Sequence, residues 1–116
     1  MNEREFIKLV RELQKLQLKV LGERYLSIGI SLDRIRPTAY VCFYLFIYDT
    51  ENNVKELYSK TLYSTSLCSD EVRNNNTIVN NRILNEIKEK VKESLLLYGG
   101  ISGAKRSGQM LLLNNN

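Results

Sequence analysis

From the amino terminus, apolar residues first recur at every third or fourth position. Over residues 3–21, a rotation of ~100° per residue places Phe6, Leu9, Val10, Leu13, Leu16 and Val20 on one face, the pattern of an amphipathic helix. Gly22 follows as the expected C-terminal cap. The period then drops to two. From Tyr25 to Asp33, Leu26, Ile28, Ile30 and Leu32 alternate with Ser27, Gly29 and Ser31, which predicts a half-buried strand. Asp33-Arg34-Ile35-Arg36-Pro37, with the chain's single proline, interrupts the alternation.

Between Thr38 and Asp49 the alternation has no polar side. Val41, Phe43, Leu45 and Ile47 fall on one face; Tyr40, Cys42, Tyr44, Phe46 and Tyr48 fall on the other. A strand apolar on both faces belongs in the middle of a sheet. Asp49-Thr50-Glu51-Asn52-Asn53 reads as a hairpin turn, and Val54 to Ser64 as a third strand with Leu57, Tyr58, Leu62 and Tyr63 as its large residues. Its register stays open, because one extra residue near the turn exchanges its faces.

Ser69-Asp70-Glu71 offers a helix cap, but Asn74-Asn75-Asn76 disfavours a helix running through it, since Asn competes for its own backbone. The second helix is therefore expected from near Thr77 to Tyr98. Ile83, Leu84, Ile87, Val91, Leu95 and Tyr98 share its core face, with Arg82, Glu86, Lys88, Glu89, Lys92 and Glu93 turned away, and Gly99-Gly100 ends it. The simplest layering is an α+β domain over residues 1–100 in the order α-β-β-β-α. A three-stranded antiparallel sheet carries both helices on one face. Residues 101–116 form an extended C-terminal arm, Gly/Ser-rich and basic, carrying the apolar plug Met110-Leu111-Leu112-Leu113 and three closing asparagines.

Composition changes this picture little. A chain of 116 residues, 43% apolar and 26% charged, suits one globular core. The longest apolar run, Ala39–Tyr48, is too short to span a bilayer, and the charged Met1–Glu5 segment does not resemble a secretory leader. The expected location is the cytoplasm, or a particle assembled there, with no membrane contact. In the predicted hairpin Cys42 lies opposite Thr61, and Cys68 lies about seven residues further on. At ~3.3 Å per residue that gap is too wide for a disulfide, so two reduced thiols are expected.

Catalysis finds no support in the residues. The chain has no histidine, hence neither the usual near-neutral base nor the commonest metal ligand. Asp33, Asp49 and Asp70 fall in or near turns and caps, and no carboxylate pair shares a face with a nucleophile. A non-enzymatic protein is expected, with no catalytic residue, no metal site, no cofactor and no small-molecule substrate.

Three surfaces remain as candidates. Arg4, Lys8, Arg11, Lys15 and Lys19 form one stripe opposite the core face of the first helix. It reads either as a solvated face tempered by Glu5 and Glu12, or as a row of phosphate contacts to which Lys105 and Arg106 would add. The element order is similar to that of the double-stranded-RNA-binding domain, whose first helix contacts the RNA minor groove. The similarity ends at the order. That family opens its second helix with a lysine cluster, where this chain has Ser69-Asp70-Glu71-Val72-Arg73-Asn74, and its hairpin loop carries a histidine.

The second surface is the row Tyr40, Tyr44, Phe46 and Tyr48, or the aliphatic set behind it, on whichever sheet face the helices leave open. It lacks interleaved Lys or Arg, which favours a subunit interface over a base-stacking platform. The third is the arm, whose plug Met110, Leu111, Leu112 and Leu113 would bind beside Leu96 and Leu97. The Gly99–Arg106 stretch fails the phosphate-loop pattern at Ala104 and Arg106. These features together predict an assembly or adaptor subunit that pairs with copies of itself or with other subunits of a complex. Small phage particle components, such as head–tail joining or tail-completion proteins, share that architecture by analogy. The alternative is a nucleic-acid-binding module using the helix stripe.

Overall fold

The computed structural model describes residues 2–35, 38–64 and 70–100. Its elements are α1 (Glu3–Val20), β1 (Leu26–Ile35), β2 (Thr38–Tyr48), β3 (Val54–Tyr63) and α2 (Asp70–Tyr98). The sheet is antiparallel in the order β1-β2-β3, with the doubly apolar strand in the centre. The fold is thus α+β with the predicted order, both helices lying on one face.

α1 begins with a capping box. The Glu5 N–H donates to Asn2 Oδ1 at 2.8 Å, and the Asn2 N–H donates to Glu5 Oε2 at 3.2 Å. Such a cap stabilises a helix by about 1 kcal/mol. The other end differs from expectation, for Gly22 does not adopt the left-handed conformation of a glycine cap. Leu21 is right-handed instead, and the Leu21 and Glu23 N–H groups satisfy the Leu18 and Val20 carbonyls. With those carbonyls occupied, no reversal at Gly22 is needed.

Phe6, Leu9, Val10, Leu13 and Val20 of α1 meet Leu26 and Ile28 of β1 and Val41, Phe43, Leu45 and Ile47 of β2. Leu62 of β3 and Leu84, Ile87, Val91 and Tyr98 of α2 close the cluster. The helices run side by side in the same direction. Lys88 reaches Glu12 at 3.5 Å, and the Gly100 N–H reaches Glu23 at 3.0 Å. The Gln17 amide donates to the Ile28 carbonyl at 2.9 Å, occupying one group on the open edge of β1.

A bulge settles the register of β3: Leu45 pairs with Tyr58 and Phe46 with Glu56, so Leu57 is the extra residue. Leu57 and Tyr58 both pack against the core, Leu62 is fully buried, and Tyr63 points outward. The turn before it is held by Asp49, whose carboxylate accepts the Asn53 side-chain amide and the Asn53 and Glu51 N–H groups. Those bonds, Asn53's side chain first, hold that carboxyl below its ordinary range. Cys42 faces Thr61 as the pattern predicts, 3.4 Å from Sγ to Oγ1. Cys68 lies outside the described residues, as do Pro37, Lys105, Arg106 and the plug Met110–Leu113.

Two other expectations need correcting. α2 starts at Asp70 rather than near Thr77. Asn76 has a better partner than its own backbone, since its side chain, like that of Asn80, donates to the Tyr63 carbonyl at the end of β3. Leu32, in phase with the buried residues of β1, is 58% exposed. The far end of the β1–β2 hairpin runs past the helix layer, and residues 31–35 are all exposed.

Two truncations separate periodicity from burial. Phe43→Ala should cost about 3–5 kcal/mol, as for other fully buried aromatics, whereas Leu32→Ala should cost less than about 0.5 kcal/mol in a chain ended at Gly100, where only the described elements can cover it. Urea unfolding midpoints of the two variants check this. A large loss at Leu32 would mean that the hairpin end is covered in solution.

Candidate functional site

The pairing places three rows of side chains on the sheet face away from the helices. β1 contributes Ser27, Gly29, Ser31, Asp33 and Ile35; β2 contributes Thr38, Tyr40, Cys42, Tyr44, Phe46 and Tyr48; β3 contributes Val54, Glu56, Ser59, Thr61 and Tyr63. Among the described residues no helix covers them. The four predicted aromatics therefore do share one open face.

They are nonetheless only half exposed, because they cover one another and the small residues beside them. Tyr44 and Phe46 stack with ring centres 5.9 Å apart and planes 12° from parallel. Phe46 leans across β1 above Gly29, where a Cβ would stand 3.3 Å from its Cε2. The Ser27 and Tyr48 hydroxyls lie 3.0 Å apart, which ties a third ring to β1. At the opposite end Tyr40 pairs with Tyr63 of β3 at 6.1 Å. The small residues of β1 thus form a trough into which the rings of β2 settle. Such aromatic cover of a strand glycine is a known stabilising device. The signal was present in the alternation of Ser, Gly and Ser with apolar residues, but it reads as a polar outer face until the register is known.

The electrostatics of this face are distinctive. Its paired positions carry two carboxylates, Asp33 and Glu56, and no Lys or Arg, although the whole chain is +4. The hydrogen bond that the Tyr44 hydroxyl donates to the neighbouring Cys42 sulfur foremost, with Glu56 contributing, pushes the Tyr44 phenol above its ordinary range. A neutral-to-acidic aromatic face does not suit a phosphate backbone.

The cations lie elsewhere. Arg4, Lys8, Arg11, Lys15 and Lys19 are all exposed on α1, as predicted. Lys15 pairs with Glu12 at 3.1 Å, and Glu12, shared with Lys88, is held below its ordinary range, the Lys15 hydrogen bond being the chief cause. Among the described residues Arg4, Lys8, Arg11 and Lys19 have no carboxylate within ion-pair distance. Leu96 and Leu97 are exposed near the end of α2, 72% and 41% respectively.

No family model matches the chain, and neither a curated protein nor a solved structure is significantly similar to it. Among the described residues no His, Cys, Asp or Glu cluster could hold a metal, and no helix is long and apolar enough to cross a membrane. The Tyr58 hydroxyl is buried beneath α2 without a hydrogen bond of good geometry. Burial first, then the neighbouring Glu86 carboxylate, holds that phenol far above its ordinary range.

The Gly29–Phe46 contact can be tested as a pair. Gly29→Val should cost about 1–3 kcal/mol by pushing the ring off its trough, and much of that loss should vanish in a Phe46→Ala background. A double-mutant cycle by urea unfolding measures the coupling. Additive losses would show that the ring does not rest on Gly29 in solution.

Proposed function

We propose that the chain is a non-enzymatic assembly or adaptor subunit whose outer sheet face binds a second copy of itself. The observation that supports this most is the aromatic row on β2, open to solvent, free of cations and bordered by exposed Ile35, Val54 and Tyr63. Subunit contacts are enriched in Tyr and Phe, and depleted of charge at their centre. Three strands ~4.8 Å apart and about ten residues long give a flat area of about 480 Å², below the ~800 Å² per partner of a standard interface. A second contact is therefore expected to contribute, and the C-terminal arm together with Leu96 and Leu97 is the available surface. A subunit of a larger particle, of the kind that joins or completes phage heads and tails, would use a compact body and an arm in this way.

Light scattering at micromolar concentration tests this. The unaltered chain should elute as an oligomer, and Tyr44→Lys, which puts a cation at the centre of the face, should elute as a monomer with an unchanged circular-dichroism spectrum. A monomeric parent chain would overturn the self-association.

A second reading is supported by the four cations on α1 that have no carboxylate partner among the described residues. A nucleic-acid-binding module using Arg4, Lys8, Arg11, Lys15 and Lys19 predicts affinity that falls steeply with salt. Lys8→Glu, Arg11→Glu and Lys15→Glu together should abolish duplex binding in a fluorescence-polarisation titration and leave the fold intact. Affinity unchanged by that triple reversal would sink this reading.

A further inference from the structure

Where the β1–β2 hairpin overruns the helix layer, α1 and β1 enclose an apolar groove of about 490 Å³. Phe6, Ile7 and Val10 form one wall, Leu32 and Ala39 the other, with Glu3, Arg11, Asp33 and Arg34 at the rim. Ile7 at 44% and Leu32 at 58% exposure are two of the larger apolar side chains left open on this side. The volume falls within the ~300–1,000 Å³ of sites that hold organic ligands, room enough for several apolar side chains.

The seam that leads to this groove starts where the arm leaves the domain. The Gly100 N–H donates to Glu23 Oε2 at 3.0 Å. Glu23 lines a smaller cleft of about 180 Å³ between α1 and β1, together with Gln17, Val20, Leu21, Leu26 and Ile28. Gln14, one helical turn before Gln17, already belongs to the larger groove. The root of the arm and the groove thus lie on one line along the α1–β1 boundary.

Length decides which plug can reach. From Glu23 back to Val10 is thirteen residues of mostly helical chain, about 20 Å at ~1.5 Å per residue. The ten residues from Gly100 to Met110 reach at most roughly 35 Å, enough to cover that distance. A site on the same chain within reach of a short linker is met at an effective concentration on the order of millimolar, above the micromolar concentration of neighbouring copies. That favours capture of the plug by its own groove over capture by a neighbour's.

We propose that this groove is the seat of the chain's own Met110–Leu113 plug. The proposal deepens the assembly reading and rests on it for the arm's role, since a plug held in its own chain can be exchanged into a neighbour's groove. Amide NMR spectra of the full chain, compared with a full-length Leu111→Asp, Leu112→Asp variant, provide the test. Resonances of Ile7, Val10, Leu32 and Ala39 should move, those of Tyr44, Phe46 and Glu56 should not, and the differences should persist on tenfold dilution. A full-length Leu32→Glu variant should reciprocally shift the plug's resonances. Groove resonances that stay put, changes confined to the outer sheet face, or differences that fade on dilution would each overturn the seat, the last by assigning the plug to another copy. Light scattering on the same samples keeps the readings apart. An oligomer without the groove signal sinks the seat alone, and a monomer with it sinks the self-association alone.

Discussion

β2 is apolar on both faces, and two helices can cover only one of them. Phe43, Val41, Leu45 and Ile47 are buried to 1% or less beneath α1 and α2. Phe46, Tyr44, Tyr40 and Tyr48, on the opposite pleat, have no layer of the described residues above them. A polar strand in that position would cost the sheet nothing on its open side, so the aromatics there require their own account. Part of it is internal: Phe46 rests over Gly29, Tyr44 stacks on Phe46, and Tyr48 reaches Ser27. That local cover explains why β1 needs small outward residues, and why each ring is half rather than fully exposed. What remains open is the upper face of the row, which is the part a partner would meet.

The fold was legible because its elements announce themselves by period. A 3.6-residue repeat in α1 and an unbroken alternation in β2 left little choice of layering, and the single doubly apolar strand had to be central. The β3 register was not legible, since a bulge at Leu57 depends on Tyr58 and Leu57 both finding the core. The start of α2 was misjudged for a related reason. Helix propensity weighs the Asn74-Asn75-Asn76 run against its own backbone, but the Tyr63 carbonyl that Asn76 bonds comes from a strand distant in sequence. Leu32 shows the opposite failure. Phase on a strand tells which way a side chain points, not whether anything lies above it.

The candidate surfaces were legible to different depths. The cationic stripe follows directly from spacing on one helix, and the structure adds only that Glu12 engages Lys15 and Lys88. The aromatic row was visible as a set of residues, whereas its trough was not, because that trough belongs to a neighbouring strand. The groove beside Leu32 was not visible at all. It arises from a mismatch in length between the hairpin and the helix layer, a property of no single segment.

Charge then orders these surfaces. α1 packs on the inner face of the sheet and points its cations away from it, so the stripe and the aromatic row look in opposite directions. A surface bearing Asp33 and Glu56 repels phosphate, while a helix bearing Arg4, Lys8, Arg11 and Lys19 attracts it. A polyanion would therefore approach from the helix side and leave the sheet face free. Were both surfaces used, subunits paired through their sheets would present α1 outward on both sides, and the cationic rows would be displayed by the assembly rather than buried within it. The surfaces proposed for self-association and for phosphate binding thus share no residues.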